Sequence, residues 1–297
     1  QLGLAKPFVV DTTPPNIPQL ALFADTGSSN TDRTTSNATI VVSGLETGST
    51  WQYNTNFGIG QWITGSGTTF SLDKGSYSDG QVQVRQTDLA GNVSAANTTF
   101  SRFVIDTQRP SISILQIGDA VGDNIISGRS SDQIISGIAT PGTTLTVYYI
   151  NGGSETFLGT TTSTTGAWDY QLTASNITAI GQGSRTLRAR ATDQFGNSQY
   201  ADTIVSIQTL APSVQIGSVG NNHSVSTSPN GFIVSGTAQP NLIVSIRFGS
   251  DQLGQTVANG SGQWSYTLTP TNLALVGQGS GKTITASQTD AVGNIGT

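Results

Sequence analysis

The feature of this sequence that most constrains its fold is an internal repeat of about one hundred residues. One segment occurs three times, as QTDLAGNVS at 86–94, ATDQFGNSQ at 191–199 and QTDAVGNIG at 288–296. Asp88, Asp193 and Asp290 hold the same place in these copies and lie 105 and 97 residues apart. A fixed long period indicates an array of similar folding units. We therefore predict three homologous domains.

Two further markers recur in the same order as the first. One contains a glycine after a short apolar run, and the other is a Gly-X-Trp tripeptide. Their recurring residues are Gly44, Gly137 and Gly236, and Trp62, Trp168 and Trp264. Together the three markers predict domains at 12–106, 107–208 and 209–297.

The two ends of the chain extend this pattern. The segment LAKPFVVDT at 4–12 is similar to TTFSRFVIDT at 98–107, which ends the first domain. We therefore expect residues 1–11 to be the last strand and linker of a preceding or neighbouring domain. The third domain stops at DAVGNIGT, and we expect it to lack its final strand.

Short segments with an apolar residue at every second position run through each domain, as at Leu242, Val244, Ile246 and Phe248. Clusters of Gly, Asn, Asp and Pro separate these segments every eight to twelve residues. This pattern is typical of antiparallel β-sandwiches. About seven strands per hundred residues favour an immunoglobulin-like topology. The predicted fold is all-β: three tandem immunoglobulin-like antiparallel β-sandwich domains that form an elongated rod, with short helical turns at 175–183 and 271–279.

Composition argues against several classes of partner and activity. The net charge is -5, and Lys and Arg form no cluster, so we expect neither a nucleic-acid partner nor an anionic membrane partner. No apolar run is long enough for membrane insertion. The chain has no Cys and one His, His223, while Glu46 and Glu155 lie in different predicted domains. We therefore expect no enzyme.

The repeat unit resembles a known family. Its markers in ADTGSSNTDRTTSNATIVVSGLETGSTWQYN (24–54) and GTTFSLDKGSYSDGQVQVRQTDLAGNVS (67–94) are similar to the bacterial Ig-like repeats that form the extender arrays of giant secreted adhesins and biofilm-associated surface proteins. The resemblance covers nearly the whole chain. It implies Ig-like sandwiches strung in tandem, an extracellular, cell-surface location and calcium at the domain junctions.

Ig topology predicts which loops meet at a junction. The TDxxGN segments lie between the last two strands, on F–G loops beside the preceding linker, and the loop after the first strand lies beside the following linker. Each junction thus gathers acidic residues from two domains and a tether, and Ca²⁺ accepts six to eight oxygen ligands. The candidate calcium ligands are Asp11, Asp88 and Asn92 before domain 1; Asp25, Asp32, Asp106, Asp193 and Asn197 between domains 1 and 2; and Asp119, Asp123, Asp290 and Asn294 between domains 2 and 3.

Two observations leave alternatives open at these positions. Aspartate also makes turns without any metal, because its side chain bonds to nearby backbone N–H groups. In addition, Gln208 stands where the other two linkers carry Asp11 and Asp106. We expect a weaker site or a hinge between domains 2 and 3.

The sequence supports three functional hypotheses. The first is a spacer segment of a bacterial surface adhesin, stiffened by calcium, whose partners are neighbouring repeats and which supports adhesion or biofilm formation on an unknown host, surface or glycan target. The second is a self-assembling extracellular fibre in which the N-terminal strand of one copy completes domain 3 of the next. The third is a glycan-binding module that uses aromatic residues of domain 1. Of these residues, Trp62 shares its repeat position with two other tryptophans and is expected in the core, whereas Trp51 and Phe57 are the candidates for sugar contact.

Overall fold

The computed structural model describes residues 8–118, 123–220 and 233–297. The regular secondary structure of the described residues is mostly β-strand, arranged as three successive sandwiches. The prediction of an all-β chain of Ig-like domains is confirmed. Within the described ranges, no helix has the length and hydropathy needed to cross a membrane.

Domain 1 contains nine short strands in three sheets. Its strands are β1 (Gln19–Leu22), β2 (Thr34–Thr35), β3 (Thr39–Ser43), β4 (Thr50–Asn54), β5 (Ile63–Thr64), β6 (Thr69–Ser71), β7 (Gly75–Tyr77), β8 (Gln83–Thr87) and β9 (Phe103–Ile105). The sheet orders are β1-β3-β6, β5-β4-β8 and β2-β9-β7. All pairs are antiparallel except β2 with β9, which run parallel.

Domain 2 has longer strands and two sheets. Its strands are β10 (Ile112–Ile117), β11 (Ile125–Ser127), β12 (Ile134–Ala139), β13 (Thr143–Asn151), β14 (Ser154–Ser163), β15 (Ala167–Gln171), β16 (Gly183–Thr192) and β17 (Ser198–Gln208), with a 3-10 turn at Ser130–Gln133 and helix α1 at Ala174–Ile180. The sheet orders are β10-β12-β15 and β11-β17-β16-β13-β14. Strand β11 follows the first strand, β10, and runs parallel to the last strand, β17, as β2 runs parallel to β9 in domain 1.

Domain 3 repeats this plan within its described residues. Its elements are β18 (Val214–Val219), β19 (Ile233–Ala238), β20 (Ile243–Phe248), β21 (Asp251–Val257), β22 (Gln263–Thr267), α2 (Pro270–Val276), β23 (Ile284–Thr289) and β24 (Ile295–Gly296). The sheet orders are β18-β19-β22 and β21-β20-β23-β24.

Buried and more exposed side chains alternate along the strands, and the buried ones form a separate core in each domain. In β13, for example, Leu145, Val147 and Tyr149 point inward and are buried, while their neighbours lie closer to solvent. The three clusters of buried side chains fall inside the three predicted ranges. The predicted helical turns are present as α1 and α2, and each begins with a threonine capping box, formed by Thr173 and Thr269.

The tryptophans of domain 1 correct the sequence-based expectation. Trp168 and Trp264 are core residues, each 4% exposed, but Trp62 lies outside the core with the Arg85 guanidinium 4.2 Å above its ring. The core tryptophan of domain 1 is instead Trp51, whose indole N–H donates to the Gly67 carbonyl at 2.9 Å. The tripeptide containing Trp62 falls in the turn between β4 and β5, whereas the other two tripeptides enter strands of the first sheet. The prediction that Trp62 packs in the core is therefore wrong, and Trp51 is not available to stack on a sugar.

The path of the first strand explains how the domains meet. In domain 2 it starts in one sheet as β10 and continues in the other as β11, in register with the end of β17, so that Ser127 lies opposite Gln208. The segment that follows β11 is thereby carried to the linker. The accessible surface of 16833 Å² exceeds the roughly 12,000 Å² expected of a compact monomer of this mass. The separate cores of the three domains contribute to this excess.

Candidate functional site at the domain junctions

The three F–G loops share one hydrogen-bonded geometry. They comprise Asp88–Asn92, Asp193–Asn197 and Asp290–Asn294. In each loop the aspartate Oδ1 accepts from the asparagine backbone N–H at 2.8–2.9 Å, and the aspartate Oδ2 accepts from the asparagine Nδ2 at 2.7–3.0 Å. The glycine between them has a backbone φ of +95°, +86° or +89°, a conformation that residues other than glycine rarely adopt. The aspartate therefore makes the turn and fixes the carboxamide of the asparagine.

The same asparagine also bonds to the linker that precedes its domain. Its Nδ2 donates to a linker backbone carbonyl: Asn92 to Asp11 at 3.2 Å, Asn197 to Asp106 at 2.8 Å and Asn294 to Gln208 at 2.7 Å. The carboxylates of the two linker aspartates accept from backbone N–H groups two residues further on. The contact with the F–G loop thus uses the main chain of the linker.

At the junction between domains 1 and 2, the loop after β1 also reaches the F–G loop. The Thr26 hydroxyl donates to the Phe195 carbonyl at 2.9 Å, and the Ser28 N–H donates to the Gln194 carbonyl at 3.0 Å. A Cβ placed on Gly196 would lie 2.2 Å from the Thr26 carbonyl oxygen. This junction consequently has no room for a side chain at Gly196.

At the junction between domains 2 and 3, different atoms make the second contact. The Gly128 N–H donates to the Oδ1 of Asn294, and a Cβ on Gly293 would lie 2.7 Å from the Cδ of Arg129. Gln182 adds a pair of bonds to Thr209 of the linker, at 2.6 and 3.1 Å. The carboxamide of Asn294, which is 4% exposed as a residue, therefore bonds to its own loop, to the linker and to domain 2.

The first F–G loop has no such neighbour among the described residues. A Cβ on Gly91 would meet no atom within 4 Å, and Leu89 is 84% exposed. The side-chain hydrogen bond from Asn92 lowers the pKa of Asp88 below its ordinary value, and backbone N–H groups of the loop add to this effect. This loop has the same internal geometry as the other two and provides a control for them.

The other predicted calcium ligands serve local hydrogen bonds. The Oδ2 of Asp25 accepts from the Arg33 N–H at 2.9 Å, while its Oδ1 is buried without a hydrogen-bond partner. Asp32 accepts from the N–H and hydroxyl of Thr34, which lowers the pKa of the Asp32 carboxyl. Asp123 accepts from the Ile125 N–H. Asp119 lies outside the described residues.

The described residues do not gather enough acidic side chains at one point for a calcium site built from carboxylates alone. Across 8–118, 123–220 and 233–297, no group of three His, Asp or Glu side chains converges on one point. The structure brings Asp193, Asn197 and the carbonyl of Asp106 together, and the equivalent atoms of domain 3, as partners in hydrogen bonds. Sequence reasoning missed the contacts of Thr26, Ser28, Gly128 and Gln182, for which no motif gave a signal.

Comparisons with known proteins identify solved structures of similar fold. No known protein family matches the chain, and no curated protein matches it. Among solved structures, it is similar to one of a 1.5-MDa bacterial ice-binding adhesin, with 18% identity, coverage of 95% of both chains and a TM-score of 0.30. A Ca²⁺-stabilised adhesin with which an Antarctic bacterium binds ice has 18% identity, coverage of 95% of this chain and 71% of that chain, and a TM-score of 0.34.

Two further solved structures are similar over most of the chain. A tetra-tandem repeat from the extending region of a large adhesion protein has 16% identity, coverage of 94% and 71%, and a TM-score of 0.27. Three Ig domains of titin have 12% identity, coverage of 87% and 89%, and a TM-score of 0.31. At these identities and TM-scores the likenesses do not bear on function, which is argued below from the junctions.

Proposed function

We propose that this chain is a spacer segment of an extracellular, cell-surface protein of the adhesin kind. The observation that carries the proposal is that both described junctions are closed by hydrogen bonds between successive domains and the linker. A linker without such bonds would leave each domain free to turn against the next. Bonded junctions hold successive domains in one orientation, which is what a spacer requires.

The strength of these junctions follows from the bonds that make them. Each net hydrogen bond contributes about 1 kcal/mol. At the first junction, Asn197, Thr26 and Ser28 supply three bonds, so a bent arrangement that breaks them costs about 3 kcal/mol, equivalent to a population of less than one in a hundred. In tandem arrays each unit contacts only its neighbours, so the stiffness of the whole follows from the junctions.

The surface of the chain suits this role. Charged residues make up 10% of the chain, and Gly, Ser, Thr, Asn and Gln dominate the loops. Location at the cell surface, and a contribution to adhesion or biofilm formation, are the parts of the proposal supported by the family resemblance of the repeat.

Calcium at the junctions remains a prediction. The Oδ1 of Asp25 is buried without a hydrogen-bond partner and is able to coordinate a cation. Among the described residues, however, no group of three acidic side chains meets at one point. The described acidic side chains do not form a calcium site by themselves. The spacer proposal therefore rests on the hydrogen bonds and does not depend on calcium.

Small-angle X-ray scattering with and without chelator tests both parts separately. A compact chain of this length would have a radius of gyration of about 19 Å. We expect a clearly larger value and a single extended shape. A radius near the compact value, or a profile that only freely jointed domains can fit, would refute the spacer. A change of shape or melting temperature on adding calcium would support the calcium prediction, and no change would refute that prediction alone.

A second candidate, the fibre subunit, has one observation in its favour. Phe8 and Val10 are 84% and 73% exposed, whereas Phe103 and Ile105, which precede the next linker, are 3% and 1% exposed in domain 1. An exposed apolar segment of this kind could add as a strand to an open sheet edge of another copy. Light scattering over a concentration series should then show ordered oligomers that Phe8→Asp abolishes. A chain that stays monomeric at every concentration would exclude this candidate.

A further inference from the structure

We infer that the asparagine of each F–G loop recognises the peptide backbone of the linker, so that junction closure is independent of the linker side chain. The junction that contains Gln208 is then as closed as the one that contains Asp106, and it is not a hinge. This inference rests on the proposed spacer function and names the residues that carry it, Asn197 and Asn294.

The geometry of the carboxamide carries the argument. The two hydrogens of the Asn197 Nδ2 have two acceptors, the Asp193 Oδ2 at 3.0 Å and the Asp106 carbonyl at 2.8 Å. Asp193 is itself held by the N–H groups of Phe195 and Asn197, both at 2.9 Å. The aspartate is therefore a positioning residue, which aims the carboxamide at the linker.

We call the hydrogen bond from the F–G asparagine Nδ2 to the preceding linker the clamp. The linker atom that it contacts is a backbone carbonyl oxygen in all three linkers. A backbone carbonyl is present whether the residue is aspartate or glutamine, and Asn294 contacts the Gln208 carbonyl at 2.7 Å. The side chain of Asp106 bonds to the N–H of Gln108, and that of Gln208 bonds to the hydroxyl of Ser206. Replacing aspartate by glutamine thus changes a local contact of the linker and leaves the clamp in place.

The chemistry of asparagine separates this role from that of a metal ligand. In the clamp the side chain must donate, because both of its partners are oxygen atoms with no hydrogen to offer. Asn197→Asp keeps the size of the side chain but replaces the donor by a carboxylate oxygen, which would face the Asp193 carboxylate and the Asp106 carbonyl. A cation site would respond in the opposite sense, because aspartate is a stronger calcium ligand than asparagine.

Distances between spin labels measure junction closure directly. The chain has no native cysteine, so cysteine pairs can be placed at exposed strand positions without interference. Ser71 and Thr162 report on the first junction, and Thr162 and Ser265 report on the second. We expect narrow distance distributions across both junctions of the unsubstituted chain.

Five variants test the clamp. Asn197→Asp should broaden the first distribution at least twofold and leave the second unchanged, and Asn294→Asp should do the reverse. Asp106→Gln should leave the first distribution unchanged. Asn92→Asp, in the loop that has no described neighbouring domain, is the matched control and should affect neither. Asn197→Ala removes the donor without adding charge and should also broaden the first distribution; broadening by Asn197→Asp alone would show that repulsion between carboxylates, and not loss of the donor, opens the junction.

The outcomes distinguish this inference from the spacer proposal. Broad distributions in the unsubstituted chain would refute the spacer itself. Narrow distributions that Asn197→Asp and Asn197→Ala leave unchanged would refute the clamp alone. Broadening by Asp106→Gln, or narrowing of the Asn197→Asp distribution on adding calcium, would show that the linker carboxylate or a cation closes the junction. Thermal unfolding of each variant establishes that its domains remain folded.

Discussion

The two junctions of this chain are closed by one shared contact and by different second contacts. At both, the F–G asparagine donates to a linker carbonyl. Between domains 1 and 2, the preceding domain donates to carbonyl groups of the F–G loop through Thr26 and Ser28. Between domains 2 and 3, the preceding domain donates to the F–G asparagine itself through Gly128.

This difference shows which part of a junction a repeat can standardise. The shared contact lies within a five-residue loop and needs only a backbone atom from its partner. The second contact depends on how the loop of the preceding domain happens to reach the interface, and it varies from one junction to the next. The loop motif therefore recurs in the sequence, whereas the residues that complete the interface do not.

The largest predicted difference is between alanine substitutions at the three F–G glycines. Alanine at Gly91, Gly196 or Gly293 shares a backbone cost of about 1–2 kcal/mol, because all three glycines have left-handed φ angles. At Gly196 the added Cβ also meets the Thr26 carbonyl, which cannot move without displacing the loop, whereas at Gly293 it meets the flexible stem of Arg129. We expect Gly196→Ala to broaden the first junction most, Gly293→Ala to broaden the second less, and Gly91→Ala to lower only the melting temperature of domain 1. Equal effects of all three variants on the label distances would contradict the assignment of Gly196 and Gly293 to interfaces.

A smaller effect is expected at Thr26, which acts only at the first junction. Its hydroxyl bonds to Phe195 of the next domain and to Thr35 and Ser36 of its own. Thr26→Val should lower the stability of domain 1 by about 1–3 kcal/mol, because buried partners lose their bonds, and it should broaden the first distance distribution alone. Thr26→Ser retains the hydroxyl and is the matched control. Broadening of the second junction by Thr26→Val would show that the two junctions are coupled.

A weaker contribution is predicted from Gln182 at the second junction. Its two bonds to Thr209 are exposed, and their loss should cost about 1 kcal/mol or less. Gln182→Ala should speed hydrogen exchange of the Thr209 amide and leave the first junction unchanged. The control is Gln255→Ala, which removes an exposed glutamine that bonds to Ser245 within domain 3. Similar exchange rates in the two variants would contradict the role of Gln182.

The smallest predicted effect is the pH dependence of stability that arises from Asp88 in the F–G loop of domain 1. Because the folded-state pKa of Asp88 lies below its unfolded value of about 3.9, the stability from its hydrogen bonds is complete above that value and is lost as pH falls through the folded pKa. Asn92→Ala removes the main cause and should raise the pKa of Asp88 toward the ordinary value. A carboxyl NMR titration of both proteins measures this, and an unchanged pKa would contradict the cause assigned.

The sequence predicted the parts of this structure that depend on periodicity and loop chemistry. Alternating apolar residues predicted the sandwiches, and the helical turns predicted at 175–183 and 271–279 are present as α1 and α2. The position of the TDxxGN segments between the last two strands predicted F–G loops beside the linkers. These features are local, so neighbouring residues carry enough information to specify them.

The remaining features depend on information that residue identity does not carry. Every residue has a backbone carbonyl, so the contact of Asn294 with Gln208 has no signature in the linker. Thr26 and Phe195 are 169 residues apart, and no pattern links them. Trp62 was placed in the core because its tripeptide matches those of the other domains, but the chain around it enters a turn and not a strand. A short identical motif does not fix its structural position when the adjoining loop differs in length.

The parallel pairing of the first and last strands of a domain has a mechanical consequence. In domain 2, β11 and β17 run side by side in the same direction, with the Ser206 N–H bonded to the Asn124 carbonyl beside them. When the ends of the chain are pulled apart, the two strands are drawn along each other in opposite directions. Their hydrogen bonds then resist the force together and do not open one after another, as they would at the end of a hairpin. A domain with this pairing therefore resists unfolding when force is applied between its two ends.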